Sequence, residues 1–234
     1  MRIKKFQIAL FTMAALFCSA VSYAAGIGGY FTTHYGSYKW NIDESIDLSD
    51  STFGGISSPS QSRPVILGGG LIWDTNLAAD RIFNFRQNIG FESFNSSQIK
   101  LTQFSLTNTF GFSPVRTRLL RFWLGPQLNL QYRWGKDAHS YYAAHVLIPA
   151  YPGAIYKIKR KYEFFSVGTG LALGLNFNVH KNVTIGLETG IQIATSLWGK
   201  GKDIARIDAS CWGYEGYVSV SVLGRFNDEY ASSQ

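Results

Sequence analysis

Few residues in this chain could carry out chemistry on a substrate, and they are scattered. It has four histidines and two cysteines in 234 residues. His139 and Ser140 are neighbours, and His145 follows six residues after His139. A hydroxyl activated by an imidazole is the chemistry of acyl transfer and hydrolysis, and it needs the base within hydrogen-bond reach. Adjacent residues of an extended segment point to opposite faces, so His139 and Ser140 cannot pair if that segment is extended. His34 and His180 stand alone, and no spacing suits a metal site. The stretches GGYFTTHYG (28–36) and VILGGGLI (65–72) hold glycines but no phosphate-loop or dinucleotide fingerprint. No catalytic residue, metal or cofactor is expected.

A second set of charged and amide residues falls into a pattern. Arg86, Arg121, Arg133 and Arg225, with Glu92, Glu188 and Glu215, sit in segments where apolar and polar residues alternate, as do Gln127, Asn129, Gln131 and Gln192. If one face of those segments is enclosed, these side chains share an interior. Unpaired charges there would be costly, so near-balance of Arg and Glu predicts an ion-paired, hydrogen-bonded plug.

The elements that must position them are strands. In LRFWLGPQLNLQYRW (120–134), Leu120, Phe122, Leu124, Pro126, Leu128, Leu130, Tyr132 and Trp134 alternate with Arg121, Trp123, Gly125, Gln127, Asn129, Gln131 and Arg133. A period of two is a strand with one apolar and one polar face. The same period runs through residues 82–93, 163–179, 183–194 and 214–226, where Leu223 breaks the polar face. Residues 98–112 and 64–73 fit less cleanly, and 26–40 has strand composition without assignable faces. That makes eight strands. Short links at 74–81, 113–118 and 180–182 alternate with longer stretches at 41–63, 135–161 and 196–208, and Asn95-Ser96-Ser97 is a short exception. Short turns on one side and long loops on the other are the pattern of a transmembrane barrel.

The N-terminus agrees. Arg2, Lys4 and Lys5 precede an apolar run from Phe6 to Val21 and then Ser22-Tyr23-Ala24-Ala25, which reads as a signal peptide cleaved after Ala24. Residues 1–24 are therefore assigned to the leader and 25–234 to one barrel. The leader takes three of the 22 Lys and Arg, leaving 19 against 15 Asp and Glu, a net charge of +4. That modest basicity does not suggest nucleic-acid binding. With Cys211 the only cysteine left, no internal disulfide can form.

A soluble sandwich would bury the apolar face, whereas a membrane barrel turns it to lipid and packs small and polar residues inside. Strands of 12 to 16 residues exceed the roughly 9–11 needed to cross a bilayer at a tilt, and the polar face is rich in Gly, Ser, Asn and Gln. The expected fold is all-β: a closed, antiparallel, eight-stranded transmembrane β-barrel after a cleaved signal peptide. Trp40, Trp73, Trp134, Tyr162, Trp198, Trp212 and Phe226 are expected in interfacial girdles. Pro126 cannot donate to a ladder, and a bulge is expected at Gly125-Pro126.

On these features residues 26–226 resemble the small outer-membrane barrels of Gram-negative and related bacteria (OmpX, the OmpA barrel, OmpW and the opacity-type proteins). GTGLALGLNFNVHKNVTIGLETG (168–190) looks like their strand–turn–strand unit, and YVSVSVLGRF (217–226) is similar to the terminal strand they present to the barrel-assembly machinery. Here the chain continues to Gln234, where many members stop at the Phe. The closely spaced His and Ser of lipid A deacylases are absent from the terminal strands. The resemblance implies bacterial outer-membrane localisation, with outer-membrane lipid and lipopolysaccharide, the assembly machinery, and a host or surface ligand as partners.

Eight strands are too few for a wide pore. The expected role is structural or surface-interacting, the alternative a narrow OmpW-like channel for small hydrophobic solutes, and behind it a lipid-modifying enzyme. Among the loops, 41–63 carries Asp43, Glu44, Asp47 and Asp50 against Arg63, while Lys157, Lys159, Arg160 and Lys161 form a basic collar. The apolar stretch 141–156, with Tyr141, Tyr142, Ile148, Tyr151 and Tyr156, is a lid or a contact surface.

Overall fold

The computed structural model describes residues 25–48, 51–57, 60–77, 82–97, 99–137, 141–144, 155–158, 161–202 and 206–226, with side chains placed for 25–41, 61–77, 82–97, 99–136, 161–200 and 209–226. The signal-peptide assignment lies outside the described residues. In chain order the strands are β1 (Gly26–Leu48), β2 (Ser51–Ser57), β3 (Ser60–Ser62), β4 (Val65–Asp74), β5 (Phe83–Asn95), β6 (Ile99–Arg116), β7 (Leu120–Asp137), β8 (Tyr141–Ala144), β9 (Ile155–Ile158), β10 (Lys161–His180), β11 (Val183–Lys202) and β12 (Arg206–Arg225). Eight of them, β1, β4, β5, β6, β7, β10, β11 and β12, are the staves of one ring. Each pairs antiparallel with the next, and β12 closes on β1 from Gly26 opposite Arg225 to Ser45 opposite Arg206. Closure leaves no stave with an unpaired edge.

The staves run further than the apolar alternation does. Residues 41–63, expected as a loop, are largely strand: β1 continues to Leu48, β2 returns along its tip, and β3 pairs with Tyr38–Trp40 before Pro64. Residues 196–208 are likewise mostly strand, since β11 reaches Lys202 and β12 begins at Arg206. Within 135–161, β8 and β9 pair only with each other, in a sheet separate from the ring. At 18 to 23 residues, β1, β6, β7, β10, β11 and β12 are longer than a bilayer requires. Their ladders therefore continue beyond the lipid on the loop side, where nothing demands an apolar exterior.

At most positions the two faces fall as the alternation predicts, while Trp73 and Leu106, on its outward side, are buried. Phe31, Phe83, Phe91, Phe110, Leu171, Ile191, Ile193, Val220 and Val222 are exposed on the outer wall, while Arg86, Gln103, Arg121, Gln127, Asn129, Gln131, Arg133, Glu188, Gln192 and Glu215 are buried inside. An apolar exterior around a polar interior is the inverse of a water-soluble protein, and it makes this a transmembrane barrel. In β1, whose faces the sequence leaves unassigned, Tyr30, Thr32, His34, Gly36, Tyr38 and Trp40 point inward, and Phe31, Tyr35 and Lys39 outward. Glycine makes room inside: a Cβ on Gly174 would stand 2.4 Å from the ring of Trp123, which is directly opposite it.

Two expectations are corrected. Trp40, Trp73 and Tyr162 do not join an interfacial girdle; all three are buried, Trp40 and Tyr162 in a cluster with Tyr38, Ile66, Phe94, Leu101 and Phe164. The inward positions of that cluster close the loop-side end of the lumen, which is filled there like an ordinary apolar core. Trp198, Trp212 and Phe226 are exposed as a girdle requires. No register shift occurs at Gly125-Pro126 either. Pro126 lies opposite Leu171 of β10 in unbroken register, and the ladder to β6 has no paired partner for Gly125 or Pro126 yet resumes with Leu124 opposite Phe112. The bulge comes between Phe112 and Val115, beside Pro114. The missing proline N–H is thus accommodated by skipped pairings, and the face assignment of β7 stands.

Leu128 faces outward at mid-height on β7, and Asn129 faces inward, donating to Gln192 Oε1 at 2.6 Å. Leu128→Arg should lower stability by roughly 2–4 kcal/mol in lipid refolding titrations, whereas Asn129→Ser should lower it by about 1 kcal/mol. Equal tolerance of the two changes would contradict the outward apolar face.

Candidate functional site

The lumen is a continuous column of polar side chains drawn from all eight staves. At the turn side Arg86 of β5 is its anchor. Its Nη1 donates to Glu188 Oε2 at 3.0 Å and Nη2 to Asn176 Oδ1 at 3.3 Å, while Nε lies 3.4 Å from Asp74 Oδ2. The guanidinium also sits 4.8 Å from the centre of the Trp123 ring. Asp74 in turn accepts from Asn84 Nδ2 and from the Asn76 backbone N–H. A fully buried guanidinium is tolerable only with this density of acceptors and a ring face. Arg121, beside it on β7, donates from Nε to Ser113 Oγ at 2.8 Å. Arg225 is half-buried at the turn end of β12.

The middle layer hangs on the other oxygen of Glu188. Oε1 accepts from the Tyr217 hydroxyl at 2.6 Å and from Gln127 Nε2 at 3.1 Å, and Gln127 also reaches Thr109. Beside it a cavity of about 20 Å³ is lined in part by Tyr30, His34, Glu92, Glu188 and Tyr217, room for about one water molecule.

Above it two carboxylates flank His34. Nδ1 lies 3.1 Å from Glu215 Oε1, and Nε2 is 3.9 Å from Glu92 Oε2. Glu215 accepts from the Tyr38 hydroxyl at 2.6 Å and from Gln192. Glu92 accepts from Gln103 and from Ser105, both at 2.7 Å. Among the described residues Arg133 meets no carboxylate directly. It donates to Gln103, Gln131 and the Tyr38 hydroxyl, and Tyr38 relays the contact to Glu215. Its guanidinium faces the Tyr38 and Phe94 rings at 4.7 and 5.5 Å, joining the polar column to the aromatic cluster above.

One arrangement has the order of a hydrolase triad: Thr32 Oγ1 is 3.1 Å from His34 Nε2, and Glu215 is on Nδ1. Its surroundings differ from an active site. Thr32 is buried, its oxygen is within 3.3 Å of the Val218 carbonyl, and the adjoining cavity admits nothing larger than water. The geometry can hold a proton or a charge in place, and it has no room for an acyl group.

All ten residues expected in the lumen lie on inward positions, but their partners include four that the sequence does not flag. In the sequence His34 stands isolated, Tyr38 belongs to a strand without assignable faces, Asp74 falls in a turn, and Asn176 faces inward without a role. Of the loop candidates, Tyr141, Tyr142, Tyr156 and Lys157 lie in β8 and β9, where only the backbone is described. Ile148, Tyr151, Lys159 and Arg160 lie outside the described residues, and Lys161 opens β10 with an exposed side chain.

No protein-family model matches the sequence, and no curated protein matches it. Among solved structures it is similar to Neisserial surface protein A, at 14% identity over 85% of this chain and 97% of that one, with a TM-score of 0.37. It is also similar to a major outer membrane protein from Thermus thermophilus, at 9% identity over 85% and 99%, TM-score 0.40. A third is the outer membrane protease OmpT from Escherichia coli, at 9% identity over 86% and 97%, TM-score 0.31. The barrel assignment itself rests on the closed ladder and the outward apolar face described above.

Glu188 holds the column together, because Arg86, Tyr217 and Gln127 all converge on it. Glu188→Gln should lower stability by about 3 kcal/mol, since it removes the charge facing a buried guanidinium. Tyr217→Phe should lower it by only about 1 kcal/mol. Urea refolding in lipid vesicles measures both; equal effects would mean that Arg86 does not depend on Glu188.

Proposed function

We propose that the protein is an integral outer-membrane barrel with a closed lumen, whose work is structural or done by surface contact at its outer wall and loop side. The barrel spans the bacterial outer membrane with its short turns inward and its long strands projecting outward. The observation that carries this reading is the filling of the bore by the Arg86–Glu188 and Arg133–Tyr38–Glu215 contacts, capped by Trp40, Phe94 and Phe164, with a cavity of about 20 Å³ beside Glu188 and His34. Such a column conducts nothing unless it rearranges. The Thr32–His34–Glu215 chain is read as part of that packing, and the protein as no enzyme. During biogenesis β12, with Val218, Val220 and Val222 outward and Phe226 just beyond its end, is the strand offered to the barrel-assembly machinery.

One feature favours a second reading, a route for small hydrophobic solutes. An apolar groove of about 580 Å³ lies on the outer wall where β6 and β7 skip their pairings, lined by Phe83, Phe85, Phe110, Phe112, Leu124 and Pro126.

Planar-bilayer recordings separate the two. The wild type should show no steady conductance, and Trp40→Ala combined with Phe94→Ala and Phe164→Ala should not introduce one, because the Arg86–Glu188 layer still fills the bore below the cap. Stable wild-type channels would reject the closed lumen and promote the solute route.

A further inference from the structure

The outer wall carries an unbalanced row of lysines, one on each of three neighbouring staves. Lys100 of β6 is directly opposite Lys136 of β7, and Lys136 is directly opposite Lys161 of β10. The same row continues to the backbone position of Lys202 on β11. Lys100, Lys136 and Lys161 are all exposed. Residues directly opposite across a ladder share a face, and like charges there repel. Other lysines near this rim are engaged: Lys39 lies 5.2 Å from the Trp212 ring centre, and Lys200 reaches Glu163 at 3.0 Å and Trp198 at 4.9 Å. Lys100, Lys136 and Lys161 have no such partner among the described residues.

Their height is set by the rows below them. One step down the same face lie Thr102, Trp134 and Glu163, then Phe104, Tyr132 and Phe165, then Leu106, Leu130 and Val167. Each step is about 7 Å along the strand. Cation, then indole, then aromatic, then aliphatic is the sequence of environments met on passing from headgroups into hydrocarbon. Lysine stems can lie along the wall and bring their ammonium groups together at the headgroup level.

We propose that Lys100, Lys136 and Lys161 form a binding site for the phosphate groups of a phosphorylated glycolipid in the loop-side leaflet. The row spans two strand spacings, about 10 Å, so a single headgroup bearing more than one phosphate can bridge it while its acyl chains lie against Trp134, Tyr132 and Phe165. The phosphates relieve the repulsion that the ladder builds in, and the lipid becomes a fixed part of the barrel's loop-side rim. This inference rests on the membrane-spanning reading and is independent of whether the lumen conducts.

The test uses the full mature chain refolded in neutral detergent micelles, with heat-modifiable migration as the check on folding. Native mass spectrometry with diphosphorylated lipid A as probe should show binding that weakens with salt. The triple variant Lys100→Gln, Lys136→Gln, Lys161→Gln should bind about a hundredfold more weakly, and dephosphorylated lipid A should show a similar loss on the wild type. Lys39→Gln with Lys181→Gln, exposed lysines outside the row, should bind as the wild type does. In micelles without the lipid the triple variant should be at least as stable as the wild type, because repulsion has been removed. Equal binding by the triple variant, or by the dephosphorylated lipid, would overturn the site. Displacement of the lipid by equimolar inorganic phosphate would reassign it to a soluble anion and overturn the lipid assignment. A chain that never acquires heat-modifiable migration would defeat the membrane reading, and this inference with it.

Discussion

A backbone in hydrocarbon has no water to bond, so every N–H and C=O that enters it must be paired within the chain. The rest of this structure depends on that constraint. It forces β12 onto β1, which turns eight strands into staves without edges. It also explains how Pro126 is tolerated. A proline inside a closed wall is a defect, and here the ladder to β6 skips two positions while the ladder to β10 stays in register. Keeping the register keeps every side chain of β7 on its proper face, which a one-residue slip would have reversed.

Closure then dictates the interior. Eight staves enclose a bore that side chains can fill, and lipid outside sends the polar half of each strand inward. Buried charge is expensive unless paired. Accordingly Arg86 meets Asp74 and Glu188, and Arg133 is surrounded by amide oxygens, a phenol and two rings. Toward the loop side the inward positions turn aromatic.

Legibility follows locality. The alternation in 120–134, 163–179 and 183–194 assigns faces residue by residue, because a strand's neighbours at i and i+2 meet the same solvent. β1 is opaque because Tyr, Thr, His and Gly suit either face: Tyr35 is exposed and Tyr38 fully buried. Strand ends are hard to read for a related reason. Residues 196–208 lose their apolar pattern where they leave the lipid, but hydrogen bonding does not stop there.

The sequence by itself determined that the chain is a set of eight strands, most of them amphipathic with Arg, Glu and amides on the inner face, since a period of two is written in adjacent residues. What only the tertiary structure decided is who meets whom. Arg86 and Glu188 are 102 positions apart, and Tyr38 and Glu215 are 177 apart. Lys100, Lys136 and Lys161 come into one row only through two successive ladders. Those meetings depend on the registers of all eight staves taken together, because closing the ring must return β12 to β1 in step. No single segment carries that sum.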